Sequence, residues 1–244
     1  MKPIEASRAG MVFRIGLLAC LLIPTVASAA VYTFAEDFTS QEFCDRANTS
    51  ALWDTLQGEI RLNDLKAVLE GECDTPGSAQ DVAIEGNYAY VADGTSGLQV
   101  LDITNPKSPV LVGGLATGGE VFGIDVRGDR AYLADQDLGL VVMDISDPTT
   151  PVVFGQTATY GSPRDVLVRG DHAFVADNGA GLTIIDISDP SAPSPMALVS
   201  ECHEAYSLDV WGSHVYVADR ASGVRVVDVS SPGSPVAVAQ YVTI

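Results

Sequence analysis

A stretch of 42 residues is written four times in succession, and that single regularity restricts this chain to repeat architectures. Asp93, Asp135, Asp177 and Asp219 mark it, and Asp102, Asp144, Asp186 and Asp228 keep the same interval. So do Gly86, Gly128, Gly170 and Gly212, and then Pro106, Pro148, Pro190 and Pro232. A period near 40 residues with several short strands per copy belongs to radial or stacked proteins, whose units bury their faces only against neighbours.

Within one copy, GIDVRGDRAYLADQDLGLVVMDISDPTTPVVFGQ, apolar positions recur with period two, as half-buried strands require. Gly128-Asp129, residues 135–139 and residues 146–151 interrupt them, and these Gly, Asp and Pro clusters are what a reversing chain uses. Four antiparallel strands per unit follow. Val, Ile, Tyr and Phe dominate the strands and nothing shows helical spacing, which excludes a helical solenoid. The expected fold is all-β, a β-propeller of four 42-residue, four-stranded blades at about 72–113, 114–155, 156–197 and 198–244. A β-helix fits less well, because its coils are shorter and its strands parallel.

The segments LQVLDITNP, LVVMDISDP, LTIIDISDP and VRVVDVSSP, each after a VAD-turn-Gly hairpin, resemble the LVIVD-repeat family of bacterial secreted β-propellers. The resemblance covers residues 72–241 and implies a fold; it carries no general reaction with it.

Lys2, Arg8 and Arg14 precede an apolar run at 15–26, and Ala27-Ser28-Ala29 follows. That is the pattern of a secretory signal peptide over 1–29, with a run too short to span a bilayer comfortably. Leu17-Leu18-Ala19-Cys20 is a rival, a lipoprotein box that would lipidate Cys20. The expected location is therefore extracellular or periplasmic, in a bacterial cell envelope, with no membrane insertion once the leader is cleaved. Removing the leader takes basic residues from 13 to 10 and acidic ones from 32 to 31, so the formal charge moves from −19 to −21. So negative a chain repels nucleic acid and anionic lipid. Of the cysteines left, Cys44 and Cys73 are candidates for a disulfide in an oxidising compartment, with Cys202 free.

Residues 30–71 lack the repeat, yet VYTFAEDF, ALWDTL and EIRL read as strands, and AVLEGECDTPG aligns with PVLVGGLATGG one period later. This N-terminal β segment is expected to supply an outer strand of a preceding blade, or a whole divergent fifth blade. A chain short of a closed ring is the other expectation.

Catalysis needs a nucleophile with a base, tuned carboxylates or a metal cage. The histidines offer little: His172 and His214 occupy a repeat position held by Tyr88 and Arg130 elsewhere. Glu201-Cys202-His203-Glu204 is more unusual, but adjacent strand residues point to opposite faces, which makes one site using both awkward. On the inner strands Val82, Ile84, Ile124, Val126, Val166, Val168, Leu208 and Val210 share one parity, and Asp81, Asp125, Asp165 and Asp209 share the other. If the second parity faces the axis, four carboxylates converge there, to be relieved by protonation, by water or by a cation such as calcium; otherwise no cofactor is expected. The competing reading has each aspartate capping a turn or bonding the next blade's backbone. Asp93 and its counterparts are expected to make Asx turns, and Asp102 and its counterparts to hold the blade backbone. Function in a propeller belongs to what differs among blades. That rule selects Gln136, Asp137, Tyr160, Asn178, Glu201, His203, Trp211 and Arg220 as ligand-binding candidates.

The expected function is a non-catalytic binding or interaction module, taking a protein or carbohydrate ligand. A cation-dependent propeller hydrolase with a carboxylate-lined channel is one alternative, and a structural segment of a larger surface assembly is another.

Overall fold

The computed structural model describes residues 51–54, 59–62 and 71–242. The chain divides into two compact units, Met1–Lys66 and Ala67–Ile244. In the first, β1 (Ala51–Asp54) pairs antiparallel with β2 (Glu59–Leu62), where ALWDTL and EIRL were read as strands. VYTFAEDF, the leader, Cys20 and Cys44 lie outside the described residues.

The second unit is four sheets of four antiparallel strands, one per repeat. The first holds β3 (Asp81–Glu85), β4 (Tyr88–Ala92), β5 (Leu98–Asp102) and β6 (Val110–Leu115). The second holds β7 (Val121–Arg127), β8 (Arg130–Asp135), β9 (Gly139–Asp144) and β10 (Val152–Thr157). In the third are β11 (Ser162–Arg169), β12 (His172–Asn178), β13 (Gly181–Asp186) and β14 (Ser194–Val199). β15 (Ala205–Trp211), β16 (His214–Asp219), β17 (Gly223–Asp228) and β18 (Val236–Tyr241) make the fourth, with a 3-10 turn at Arg220–Ser222. Gly86, Gly128, Gly170 and Gly212 close the first hairpin of each sheet with φ between 55° and 60°, a conformation glycine adopts without steric cost.

Each sheet from the second to the fourth buries one face on the sheet before it. Ile124 and Val126 of β7 are 0% and 3% exposed, packed with Tyr90, Ala92 and Val100 of the first blade. Val166 and Val168 repeat this against Tyr132 and Val142, and Leu208 against Phe174 and Ile184. Burying a branched side chain stabilises by about 1.5–3 kcal/mol, so these three interfaces hold the blades in order. Among the described residues no packed cluster joins the fourth blade to the first. Val82 and Ile84, the counterparts of Ile124 and Val126, are 53% and 64% exposed, and Tyr216 is exposed where Tyr90, Tyr132 and Phe174 are buried.

The outer strand of each of the four blades has a bulge. In the first two blades a glycine sits there: a Cβ on Gly113 would meet the Pro148 carbonyl, and one on Gly155 the Pro190 carbonyl. Gly71 stands in the same relation to Pro106. It thus lies where the outer strand of a blade before the first would run.

The two aspartate series exchange the roles expected for them. Asp93, Asp135, Asp177 and Asp219 are buried and hold down local loops. Thr75 Oγ1 and the Gly77 N–H donate to Asp93; Thr159 Oγ1, the Tyr160 and Gly161 N–H groups and Thr183 Oγ1 donate to Asp177. Asp219 takes the Glu204 N–H and pairs with Arg225 at 2.9 Å. Only Asp135 makes the expected turn, accepting from the Asp137 and Leu138 N–H groups. Asp102, Asp144, Asp186 and Asp228 instead accept the N–H two residues on, from Thr104, Ser146, Ser188 and Ser230. The physical reason is position: the first series ends a buried strand beneath a loop, whereas the second leaves the sheet into a solvated turn.

Those turn bonds, with Thr104, Ser146, Ser188 and Ser230 as donors, hold the four carboxyls below the usual 3.8. A depressed folded-state value adds stability that is complete above the unfolded value and is lost as pH falls through the folded one. The four turns are therefore expected to stay closed at pH 4 and to open as pH falls below the ordinary carboxyl value, read from the carboxyl chemical shifts and the Thr104, Ser146, Ser188 and Ser230 amide signals. Asp177→Ala, which strands four donors, one of them on the buried Thr183, is expected to cost about 3 kcal/mol in urea unfolding. Asp189→Ala, on an exposed turn, should cost far less.

Candidate functional site

The inner-strand carboxylates are the first candidates to place. Asp81 and Asp165 occupy one repeat position, shared with Gly123 and Ser207; Asp125 and Asp209 occupy another, two residues on, shared with Ala83 and Leu167. The Ile124 N–H donates to Asp81 Oδ2 at 3.0 Å, the Val168 N–H to Asp125 Oδ2 at 2.7 Å, and the Leu208 N–H to Asp165 Oδ2 at 2.9 Å. Each donor is 43 residues on, in the following blade. The other oxygen of Asp81, Asp125 and Asp209 accepts the N–H of the next residue in its own strand. Asp125 also pairs with Arg127 at 3.0 Å, and Ser207 Oγ donates to Asp165.

The expected convergence on a calcium ion is thus corrected. Among the described residues no three His, Cys, Asp or Glu side chains stand where they could hold a metal ion. The shared parity did place all four on the inner strands, but on two different rungs, and an inner edge strand has unpaired N–H groups that a carboxylate satisfies. Alternation has a steric side too. A Cβ on Gly123 would come within 2.7 Å of the Asp165 Cα, so the closest approach of β7 to β11 requires glycine.

At one end of the blades lie the starts of the inner strands, the loops that lead into them and the second turn of each sheet. Gln136, Asp137, Tyr160, Asn178, Glu201, His203 and Arg220 all belong to this end. Trp211 does not: it closes β15 at the opposite end, 76% exposed. Tyr160 is 63% exposed, with its loop tied down by Asp177. His203 is exposed and its carbonyl accepts the Gly179 N–H, while Cys202 beside it is fully buried. Burial pushes the Cys202 thiol up to about 12, with the Asp219 charge adding to it. The pair does not form one site. Cys73 has a free, half-buried thiol.

Three residues at this end were missed as ligand candidates. Phe122, Arg164 and Tyr206 share one repeat position, held by Gln80 in the first blade. The Arg164 guanidinium stacks 4.0 Å from the Phe122 ring centroid and 5.9 Å from that of Tyr206. Arg220 stacks on Tyr206 at 4.2 Å. A row of ring, cation, ring, cation thus crosses from the second blade to the fourth. Arg164 Nη2 donates to Gln136 Oε1 at 3.1 Å, and its buried Nε has no partner. The signal was legible, since this position differs in every copy. Stacking follows because Phe122, Arg164 and Tyr206 hold the same repeat position, so successive blades bring the three together.

The pattern that defines the LVIVD repeat matches residues 76–117, 118–159, 160–201 and 204–243. No curated protein matches the chain significantly. Among solved structures it is similar to the computationally designed Ika8 protein, 12% identical with a TM-score of 0.55 over 68% of this chain and 50% of that one. It is likewise similar to the computationally designed Ika4 protein, 12% identical with a TM-score of 0.53 over 63% of this chain and 92% of that one. The chain thus spans half the length of Ika8, and at this identity the likeness concerns the fold. Four matched repeats on four blades place the chain in the LVIVD repeat family.

Proposed function

We propose that this is an exported binding module whose partner docks on the end of the blades that carries Tyr160, Arg164, Tyr206 and Arg220. One observation carries the reading: the row of stacked rings and guanidiniums built from a repeat position whose residue changes in every blade. Residues kept in all copies are taken up by the fold, as the Asp93 and Asp102 series show. Residues that vary at one end are released from that duty, and a rigid sheet beneath positions them. The inner-strand carboxylates favour this reading over a cation-dependent hydrolase, since one oxygen each of Asp81, Asp125 and Asp165 is bonded to a backbone amide of the next blade.

The test compares the two ends on an array of glycans and peptides. Tyr206→Ala is expected to weaken bound ligands about tenfold or more, and Trp211→Ala to leave them unchanged. The reverse outcome would place the binding face elsewhere. A second expectation concerns the Glu201–Glu204 turn, in which Cys202 serves packing. In the folded protein Cys202 should resist iodoacetamide at pH 8 and react once urea unfolds the chain, as read by peptide mass mapping. Rapid labelling of the native thiol would restore it as a nucleophile.

A further inference from the structure

The arginines of the repeat unit divide into two groups. Arg127, Arg130 and Arg225 each pair with an aspartate at 2.9–3.0 Å, and Arg169 donates to the Gly212 carbonyl at 2.6 Å. Arg164 and Arg220 have no carboxylate within pairing distance among the described residues. Among the described residues of a chain with 32 acidic and 13 basic residues, these two guanidiniums thus stand without a carboxylate partner, both against the Tyr206 ring. Both are held instead by aromatic faces, which orient a guanidinium plane without using its N–H donors. Arg164 spends one of its donors on Gln136 and keeps Nε buried and unpartnered. Arg220 is exposed.

From this we infer that Arg164 and Arg220 form a site for the carboxylate of an acidic oligosaccharide, such as one made of uronic acids, the two guanidiniums around Tyr206 making a local positive patch that offsets the repulsion set up by the chain's net charge. The inference rests on the binding role proposed above and names its ligand class. Free guanidinium donors suit a planar carboxylate, which they engage through two parallel hydrogen bonds. The sugar is favoured by what surrounds them. Tyr206 and Tyr160, 40% and 63% exposed, offer amphipathic rings at the same end, which bind surfaces with one apolar and one polar side. An acidic peptide would instead look for an open strand edge to extend. On the inner strands of the second to fourth blades that edge is partly closed, since the amides of Ile124, Val168 and Leu208 are already taken by Asp81, Asp125 and Asp165.

Calorimetric titration of the full chain with hexagalacturonate tests this. Binding is expected for the free acid and a loss of about tenfold or more for its methyl ester, whose carboxylates are masked. Arg220→Gln should weaken the free acid by about tenfold and leave the melting temperature alone, because that side chain is exposed. Arg164→Gln should weaken it further. Equal affinity for acid and ester, or undiminished binding by Arg220→Gln, would overturn the inference. So would binding of hexaglutamate with none of hexagalacturonate. In that last case the binding face stands, provided Tyr206→Ala abolishes hexaglutamate binding; if no ligand is sensitive to Tyr206→Ala, the face itself is wrong.

Discussion

Everything in the repeat unit depends on one contact: the apolar face of each inner strand set against the blade before it. A four-stranded sheet with both faces half apolar is not stable alone. Ile124 with Val126, Val166 with Val168, and Leu208 close the gap on Tyr90, Tyr132 and Phe174 respectively. That packing forces inner strands of neighbouring blades close together, and closeness creates the next problem. Each strand turns unpaired N–H groups toward its neighbour, and the aspartates answer it.

The carboxylates work as latches because of where their two oxygens reach. One oxygen of Asp125 stays on its own strand at Val126, and the other crosses to Val168. Ionised carboxylates make strong bonds to backbone amides, and Arg127 balances the charge that burial would otherwise penalise. Because Asp81 and Asp165 use one rung and Asp125 and Asp209 the next, successive blades alternate bulky and small residues there. Gly123 and Ser207 fill the spaces left beside the first pair.

Much of this was written in the sequence. A fixed 42-residue interval with period-two patterning gave one four-stranded sheet per repeat, with its strands and turns, since those follow from local geometry. The inner-strand parity separated packing residues from carboxylates in the second to fourth blades, whereas Val82 and Ile84 of the first are exposed. What a one-dimensional reading could not supply was the partner of each polar atom. Whether Asp125 meets a cation or the Val168 amide depends on a neighbouring blade's register. The roles of Asp93 and Asp102 were exchanged for the same reason, because burial beneath a loop is a tertiary fact. At the proposed binding end the candidates Gln136 and Arg220 were legible through their variation among blades. Arg164 was visible but passed over, since stacking between Phe122 and Tyr206 needs residues 42 apart to stand side by side.

Amide hydrogen exchange by NMR reaches the central claim most directly, because it reads the latches one by one. If packing between blades delivers each inner-strand amide to a carboxylate, Ile124, Val168 and Leu208 will exchange slowly despite lying on sheet edges. Ile84, the counterpart of Val168 with its side chain exposed, will exchange fast. Rapid exchange at all four positions would mean that the blades do not hold one another in this way, and the account would fail with them.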